Sequence, residues 1–435
     1  MINKNRDENF YWLNEDSRTF LSRGYLSEGE TPEVRIREIA NKAEWYLKDM
    51  ARKSDRKSGH IFDGYADKFY NYMSKGYYSL ASPVWANYGK TRGLPVSCFG
   101  SYIDDNMESI LEGHSENGML MKNGGGTSGY FGAIRGRGSD ISHGGESSGS
   151  VHFMQMYDTL ASVVSQGSVR RGFFAAYQDL EHIDADEFLD IGTEGNPIQG
   201  LTTGIVVGDE YTFTCVLSSV NLLHWDEIQK TDAIEVLTMF LDTVCEEFIR
   251  KTEGQPYLKR ARDFAKDHRA LGVGILGWHS LLQSKMLAFE SRDAAKLNLE
   301  IAKVMQVRTY HTSKLMASII GEPELLTGYG KRNTTTMAIA PTKSSSFILG
   351  QVSQSIEPEF SNAYVKDLAK IKVTIRNPYL KELLAIKGRD TTDIWDSIKN
   401  NDGSVQQLEC LNEDEKAVFK TFSEIDPYTI IDQAA

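Results

Sequence analysis

Apolar positions recur at helical spacing through residues 1–93. Thr31-Pro32 offers a capping side chain followed by proline in the first turn, which is a typical start of a helix. Two apolar stripes follow, formed by Val34, Ile36, Ile39, Ala43, Tyr46 and Leu47, and then by Ile61, Phe62, Tyr65, Phe69, Tyr72 and Met73. The spacing predicts two amphipathic helices, the second ending near Gly76, and therefore a helical N-terminal domain over residues 1–93.

From Leu94 the pattern changes to short apolar or β-branched runs separated by helical stretches. The predicted strands lie at 203–207, 213–217, 273–276 and 335–340, and the predicted helices between them include 233–250 and 291–317. Strands that alternate with helices favour an α/β domain over 94–435, with a parallel sheet or barrel whose chemistry lies at the carboxyl ends of the strands. The acidic stretch 386–435 predicts a helical surface layer.

Composition narrows the class of protein. The hydrophobic share of 40% and the charged share of 25% are ordinary for a soluble globular chain. A formal net charge of -12 argues against non-specific binding to nucleic acid or to an anionic membrane, since both require a positive surface. No secretory signal or membrane-length apolar run is visible, and four cysteines do not form a secreted disulfide framework. We therefore expect a cytoplasmic protein without nucleic-acid or membrane partners.

Glycine-rich and arginine-containing segments are the first candidates for ligand binding. The run 123–132 includes Gly125 and Gly126, where the missing Cβ atoms allow backbone amides to approach an anion, although by itself the run favours a tight surface turn. Paired arginines occur among glycines and serines in 135–139 and 165–172. Such loops either grip phosphates bidentately or are simply solvated.

Hydroxyl side chains cluster after the strand predicted at 335–340. They belong to Thr342, Ser344, Ser345 and Ser346 in Pro341-Thr342-Lys343-Ser344-Ser345-Ser346. Hydroxyls and amides at a strand end that leads into a helix can form a phosphate cradle, or can only cap that helix. From these residues alone both interpretations stay open.

The four cysteines have different local contexts. Cys245 lies on the apolar face of the helix predicted at 233–250, as a small core residue would. Cys410 has no identifiable chemical neighbours, whereas Cys98 and Cys215 lie in Pro95-Val96-Ser97-Cys98-Phe99-Gly100 and in a β-prone run. None of the nine histidines forms a ligand pattern, so no metal site is predicted, and His268 and His279 are interpreted as structural hydrogen-bonding residues.

The segments around the two cysteines and the hydroxyl cluster, with Gln351 to Pro358 and His268 to Gly274, resemble the large subunit of class I ribonucleotide reductase over about 12–435. The resemblance implies a ten-stranded α/β barrel, built from two five-stranded halves and incomplete here, behind the helical N-terminal domain. It implies reduction of ribonucleoside diphosphates at the ribose 2′ position for DNA precursor synthesis.

The resemblance also assigns roles to individual residues. Cys98 and Cys215 match the redox pair that donates two electrons as a disulfide forms. The residues that match substrate-contacting positions are Ser82, Ser97, Gly125, Gly126, Thr342, Ser344 and Ser345. Those that match the allosteric effector site and its specificity loop are Asp105, Asn106, Arg135, Ser168 and Arg170. The effectors would be nucleoside triphosphates and deoxynucleotides, and Ser142 stands where many relatives have a second basic residue.

The partners implied by the family are a small (beta) subunit, whose metal cofactor supplies a radical, a second copy of the large subunit, and thioredoxin or glutaredoxin as reductant. No covalently bound cofactor is expected. The family's radical-carrying cysteine lies in an Asn-x-Cys-x-Glu motif, which occurs nowhere in this sequence. By comparison with the family, an interior segment near 208–211, the tyrosine pair that follows the barrel and the N-terminal ATP-binding cone are absent.

Two hypotheses follow from that comparison. In the first, the chain is a reductase large subunit that keeps its substrate and effector surfaces and does not turn over alone. In the second, it is a non-catalytic nucleotide-binding fragment, or one part of a split reductase that needs a second chain. Neither Cys245 nor Cys410 has the flanking Asn and Glu that the radical role requires.

Overall fold

The computed structural model describes residues 8–54, 59–166, 170–191, 210–368 and 371–435. Its α-helices are α1 (Glu15–Ser22), α2 (Pro32–Lys53), α3 (Tyr65–Ser74), α4 (Ser82–Asn87), α5 (Met107–Lys122), α6 (Ser150–Val163), α7 (Ala185–Leu189), α8 (Trp225–Ile228), α9 (Ala233–Thr252), α10 (Lys259–His268), α11 (Trp278–Ser284), α12 (Arg292–Ile320), α13 (Lys343–Ile348), α14 (Pro378–Ile386), α15 (Thr392–Asn400), α16 (Glu413–Val418) and α17 (Pro427–Ala434). Its strands are β1 (Tyr78–Leu80), β2 (Cys98–Tyr102), β3 (Gly126–Tyr130), β4 (Ser165–Gln166), β5 (Arg170–Arg171), β6 (Phe174–Tyr177), β7 (Thr212–Asn221), β8 (Leu271–Leu276), β9 (Ala363–Leu368) and β10 (Ile371–Arg376).

The helical N-terminal part is confirmed, with one correction. Helix α2 begins as predicted, with the Thr31 hydroxyl accepting the Val34 N–H at 3.3 Å. The second predicted helix is wrong in its first turn: a 3₁₀ turn at Gly59–Phe62 precedes α3, and Gly64 (φ +78°) separates them. Val34 and Ile61 remain about half exposed, so neither belongs to the core that the stripes otherwise define.

A six-stranded mixed sheet carries the residues of interest. Strand β7 is central: it pairs antiparallel with β1 and β2 and parallel with β8. Strand β2 continues the sheet through parallel pairing with β3, and β3 pairs parallel with β6. The mixed α/β architecture predicted from the sequence is thus confirmed, and the predicted helices at 233–250 and 291–317 correspond to α9 and α12.

One of the predicted strands is irregular, and another lies outside the described residues. The run 335–340 is not a regular strand; it follows β8 through the Leu271 N–H to Thr335 carbonyl bond (3.0 Å) and a single parallel bridge between Val273 and Met337. An ideal Cβ at Gly272 would lie 2.8 Å from Ala338 Cβ, so glycine permits this close approach. The run predicted at 203–207 lies outside the described residues.

A fully buried ionic network fixes β8 to helix α9. The Asp242 carboxylate accepts hydrogen bonds from Arg269 (2.9 Å), Arg332 (2.9 Å) and the Asn333 amide (3.1 Å). The two guanidinium groups outweigh the desolvation of the carboxylate and hold the pKa of Asp242 well below its usual range. Because Arg269 is two residues before the start of β8, this network sets the position of that strand against helix α9.

Candidate active site

The two cysteines singled out in the sequence face each other across neighbouring strands. In the antiparallel pairing of β2 with β7, Cys98 is directly opposite Cys215, and the parallel pairing of β2 with β3 places Gly126 on the other side of Cys98. Residues directly opposite in an antiparallel pair have Cα atoms roughly 4.5–5.5 Å apart, within the range that a disulfide spans. Neither cysteine is in a disulfide here, and the register places the two residues in positions that a disulfide can join.

The environments of the two thiols differ. Cys98 is exposed and its sulfur lies 3.5 Å from the Ser97 hydroxyl, whereas Cys215 is half-buried. The hydrogen bond with the Cys98 thiol, with burial as a second cause, raises the pKa of Cys215 well above its ordinary value. Cys215 is therefore a protonated thiol near neutral pH, beside a more accessible partner.

The adjoining glycines shape the same part of the surface. The Gly126 N–H donates to the Ser97 carbonyl at 2.5 Å, which closes the start of β3 onto the residue before Cys98. An ideal Cβ at Gly125 would lie 2.6 Å from the Phe99 ring, so no larger side chain fits there without displacing it. The three predicted positions Ser97, Gly125 and Gly126 are thus brought together around Cys98.

The hydroxyl loop, defined here as residues 342–346 and including the start of α13, contacts β1, which pairs with the C-terminal half of β7. The Ser345 hydroxyl donates to the carbonyl of Leu80 at 3.4 Å, and Leu80 pairs with Ser218 in the sheet. Ser218 is three residues beyond Cys215, or about 10 Å along a strand. The hydroxyl loop therefore contacts the sheet at β1, opposite a position three residues along β7 from Cys215.

The remaining predicted substrate residues differ in accessibility. Ser82 is the first residue of α4, two positions after Leu80, and is half-buried like Ser344. Thr342 is buried, and its hydroxyl oxygen accepts the Ser355 N–H at 2.8 Å. Thr342 is thus held by the loop that follows it, whereas Ser82 and Ser344 keep exposed surface.

The segment that holds Thr342 belongs to the stretch Gln351 to Pro358, which carries part of the family resemblance, although no role was assigned to its individual residues from the sequence. Ser355 has φ +40° and Gln351 has φ +67°, left-handed conformations that non-glycine residues rarely adopt. The segment is held by hydrogen bonds from α11, which lies more than seventy residues earlier in the chain.

The predicted effector residues come together in part. Arg135 Nε lies 2.7 Å from the Asp105 carboxylate, and the Arg135 backbone N–H donates to the same group at 3.1 Å. Asn106 caps α5 by accepting the Ser109 N–H at 2.8 Å. Ser168 lies outside the described residues, and Arg170 is in β5, where only the backbone is described.

The residues interpreted as structural contribute no chemistry to this surface. Cys245 is fully buried and its thiol donates to the Ala265 carbonyl at 3.4 Å, as expected of a core cysteine. His279 is fully buried and accepts the Glu359 N–H through Nδ1 at 2.9 Å. His268 ends α10 with its ring stacked on Phe264.

Comparison with known proteins gives one consistent family. The family model described as the ribonucleotide reductase barrel domain matches residues 96–212, 208–325 and 323–435. In the solved structures, the class Id ribonucleotide reductase alpha subunit of Actinobacillus ureae superposes with a TM-score of 0.87 at 46% identity, covering 98% of this chain and 89% of that one.

Curated relatives agree with that result. A Frog virus 3 (isolate Goorha) protein, provisionally named a ribonucleoside-diphosphate reductase large subunit, is 30% identical over 458 residues, which cover 85% of this chain and 80% of that protein. The ribonucleoside-diphosphate reductase large subunit of Invertebrate iridescent virus 6 is 40% identical over 229 residues, covering 52% of this chain and 24% of that protein. Among the described residues, no helix is long and apolar enough to cross a membrane.

Proposed function

Since this chain belongs to the ribonucleotide reductase family, we propose that it is the large subunit that binds ribonucleoside diphosphates and donates the electrons that reduce them. The observation that carries the proposal is the register that sets Cys98 opposite Cys215, beside the Ser345 to Leu80 contact. In this arrangement the two thiols can reduce the ribose of a ligand. The hydroxyl groups can donate hydrogen bonds to the diphosphate of the same ligand.

The redox step balances with these residues alone. The C2′–O bond of the ribose breaks, a C2′–H bond forms, and the hydroxyl leaves as water. The Cys98 and Cys215 thiols supply two electrons and two protons and become joined by an S–S bond. The protonated state of Cys215 supports this role, because the pair must deliver protons together with electrons.

To start, the reduction of the ribose requires a radical that this chain does not provide. In the family the radical comes from the small subunit's metal cofactor and passes to a cysteine in the Asn-x-Cys-x-Glu motif, which these 435 residues lack. The Frog virus 3 alignment spans 458 residues, more than this entire chain, so that relative carries residues without a counterpart here. We infer that the chain supplies substrate binding and electrons and that a second polypeptide supplies the radical cysteine.

The Asp105–Arg135 pair supports an effector site for nucleoside triphosphates and deoxynucleotides. A carboxylate can accept from a deoxyribose hydroxyl, and a guanidinium can bind phosphate oxygens. Asn106, Ser168 and Arg170 would complete that site.

The neighbouring helices support assembly of two large subunits. Met107 and Leu111 on α5 and Val163 on α6 are apolar side chains with 49%, 48% and 77% exposure, and α5 begins two residues after Asp105. Pairing of two copies across these helices would cover that apolar surface. The small subunit is the further partner, and thioredoxin or glutaredoxin in the cytoplasm would reduce the Cys98–Cys215 disulfide after each turnover.

Calorimetry and a single-turnover assay test the proposal. The purified chain should bind cytidine diphosphate, and Cys98→Ser should leave that binding within about twofold, since the thiols act in the redox step. With the small subunit and no further polypeptide, no deoxycytidine diphosphate should form. Failure to bind any ribonucleoside diphosphate would contradict the proposal, and product formation by the two chains alone would contradict the need for a second source of the radical cysteine.

The second candidate is a non-catalytic nucleotide-binding chain, favoured by the lack of the Asn-x-Cys-x-Glu motif while the Asp105–Arg135 pair is retained. It predicts effector binding with no binding of ribonucleoside diphosphate. The same calorimetry, run with both ligand classes, therefore separates the two functions.

A further inference from the structure

The first turn of helix α11 makes a dense set of hydrogen bonds to the segment 353–359, which follows the hydroxyl loop. Ser280 and Ser353 bind reciprocally: the Ser280 N–H donates to Ser353 Oγ at 3.0 Å, and the Ser353 N–H donates to Ser280 Oγ at 2.8 Å. The Gly277 N–H donates to the Ser353 carbonyl at 2.9 Å. Ser353 is fully buried and Ser280 nearly so, which makes each bond hard to replace by water.

A second contact extends this attachment to the end of the segment. His279, between Gly277 and Ser280 in the same turn, accepts the Glu359 N–H at 2.9 Å. The serine pair and His279 thus fix both ends of 353–359 to one rigid helical turn. We call this set of contacts, made by Gly277, His279, Ser280, Ser353 and Glu359, the α11 clamp.

The α11 clamp holds a strained backbone. Ser355 lies inside the clamped segment with φ +40°, a conformation that costs a non-glycine residue free energy and persists only where its surroundings enforce it. Its N–H is directed to Thr342 Oγ1 at 2.8 Å, while among the described residues its own buried hydroxyl has no hydrogen-bond partner. In this strained conformation the Ser355 N–H donates to the hydroxyl loop, and the Ser355 hydroxyl remains available as a second donor beside it.

We propose that Ser280 and Ser353 are positioning residues that set the conformation of the hydroxyl loop for the diphosphate of the substrate. They act through Ser355 and Thr342 and do not touch the ligand. This inference rests on the proposed function, because it assumes that the hydroxyl loop binds phosphate. It adds that the geometry of the loop is imposed from α11, outside the loop itself.

The test compares ligands that differ in phosphate number. Calorimetry on the full chain should give cytidine diphosphate affinity about tenfold weaker in Ser353→Ala and in Ser280→Ala, the effect of losing roughly one buried hydrogen bond. Binding of cytidine, which lacks phosphate, and of effector nucleotide should stay within about twofold. The matched control is Ser284→Ala, since Ser284 is exposed on the same helix and its hydroxyl donates to the Leu281 carbonyl within that helix.

The binding results separate failure of the positioning role from failure of the proposed function. Unchanged cytidine diphosphate affinity in both variants would overturn the inference and leave the proposed function standing. An equal loss for cytidine and cytidine diphosphate, or lost effector binding, would also overturn it, because that pattern indicates general unfolding. Absence of cytidine diphosphate binding by the unmodified chain would instead overturn the proposed function and this inference with it. Ser280→Ala serves as the readout should Ser353→Ala not fold, since it removes the other bond of the reciprocal pair.

Discussion

Cys98 and Cys215 occupy directly opposite positions on antiparallel strands, yet one thiol is exposed and the other half-buried. The two sulfurs therefore differ in accessibility and in protonation. The exposed Cys98 sulfur is accessible to solvent and to external reductants. Cys215 stays protonated because its hydrogen bond with Cys98 and its burial raise the pKa of its thiol. We expect a disulfide between them to be reduced by attack on the Cys98 sulfur, because that sulfur is the more accessible of the two.

This asymmetry predicts the order of thiol alkylation. With iodoacetamide at pH 8, Cys98 should be modified first and Cys215 more slowly. Cys245 should stay unmodified while the chain is folded, because burial raises its pKa to about 12. Peptide mass spectrometry over a time course measures the order, with the urea-unfolded chain as control, in which all cysteines should react at similar rates. Labelling of Cys245 as fast as Cys98 would contradict the arrangement.

The effector site predicts a contrast between two arginines in one loop. Arg135→Ala should weaken deoxynucleoside triphosphate binding by about tenfold or more, through loss of charge-assisted hydrogen bonds to phosphate. Arg137→Ala is the matched control, because Arg137 pairs with Glu187 at 2.6 Å, away from Asp105. Equal losses in the two variants, measured by calorimetry, would count against Arg135 as the specific phosphate ligand.

The buried ionic network predicts a large loss of stability. Asp242→Asn should lower the free energy of unfolding by about 3–5 kcal/mol, because it removes the buried carboxylate that Arg269 and Arg332 share and leaves Arg269 paired with Glu246 alone. Asp226→Asn breaks an exposed ion pair with Lys285 and should cost about 1 kcal/mol or less. Urea unfolding followed by circular dichroism measures both variants, and similar midpoints would refute the role given to Asp242.

His279 predicts a pH dependence of stability. Burial lowers its pKa to about 4 from an unfolded value of 6.5, so the unfolded chain binds more protons between those values. The free energy of unfolding should therefore be highest above about pH 6.5, fall by about 3 kcal/mol from this residue as the pH drops to about 4, and stop falling below it. His279→Gln should remove that part of the slope in urea titrations, whereas the exposed His60→Gln should keep it. A slope that His279→Gln leaves intact would place its origin elsewhere.

Local sequence patterns predicted the helices and strands more accurately than they predicted the contacts between those elements. The cap at Thr31 and the apolar spacing of α9 and α12 are properties of neighbouring residues, and all three were predicted correctly. Gly64 divides the second predicted helix because a left-handed backbone there overrides the apolar stripe.

Only those parts of the candidate site that lie in recognisable sequence motifs were predicted. Cys98, Cys215 and the hydroxyl loop carry recognisable local sequences, but their meeting depends on strand register across more than a hundred residues, which no local pattern encodes. The Ser280–Ser353 pair and the Asp242 network were missed for the same reason. Each consists of ordinary polar residues whose partners are distant in sequence.

Disulfide mapping of the oxidised chain tests the central claim most directly. After treatment with a mild thiol oxidant at low protein concentration, digestion without reduction should give one dominant linked peptide pair, joining Cys98 to Cys215, which disappears in Cys98→Ser. The same pair should form in the presence of a thioredoxin or glutaredoxin system only when its reductant is exhausted. Persistence of free thiols at both positions, or a dominant link from either cysteine to Cys410, would contradict the assignment of these two residues as the electron donors.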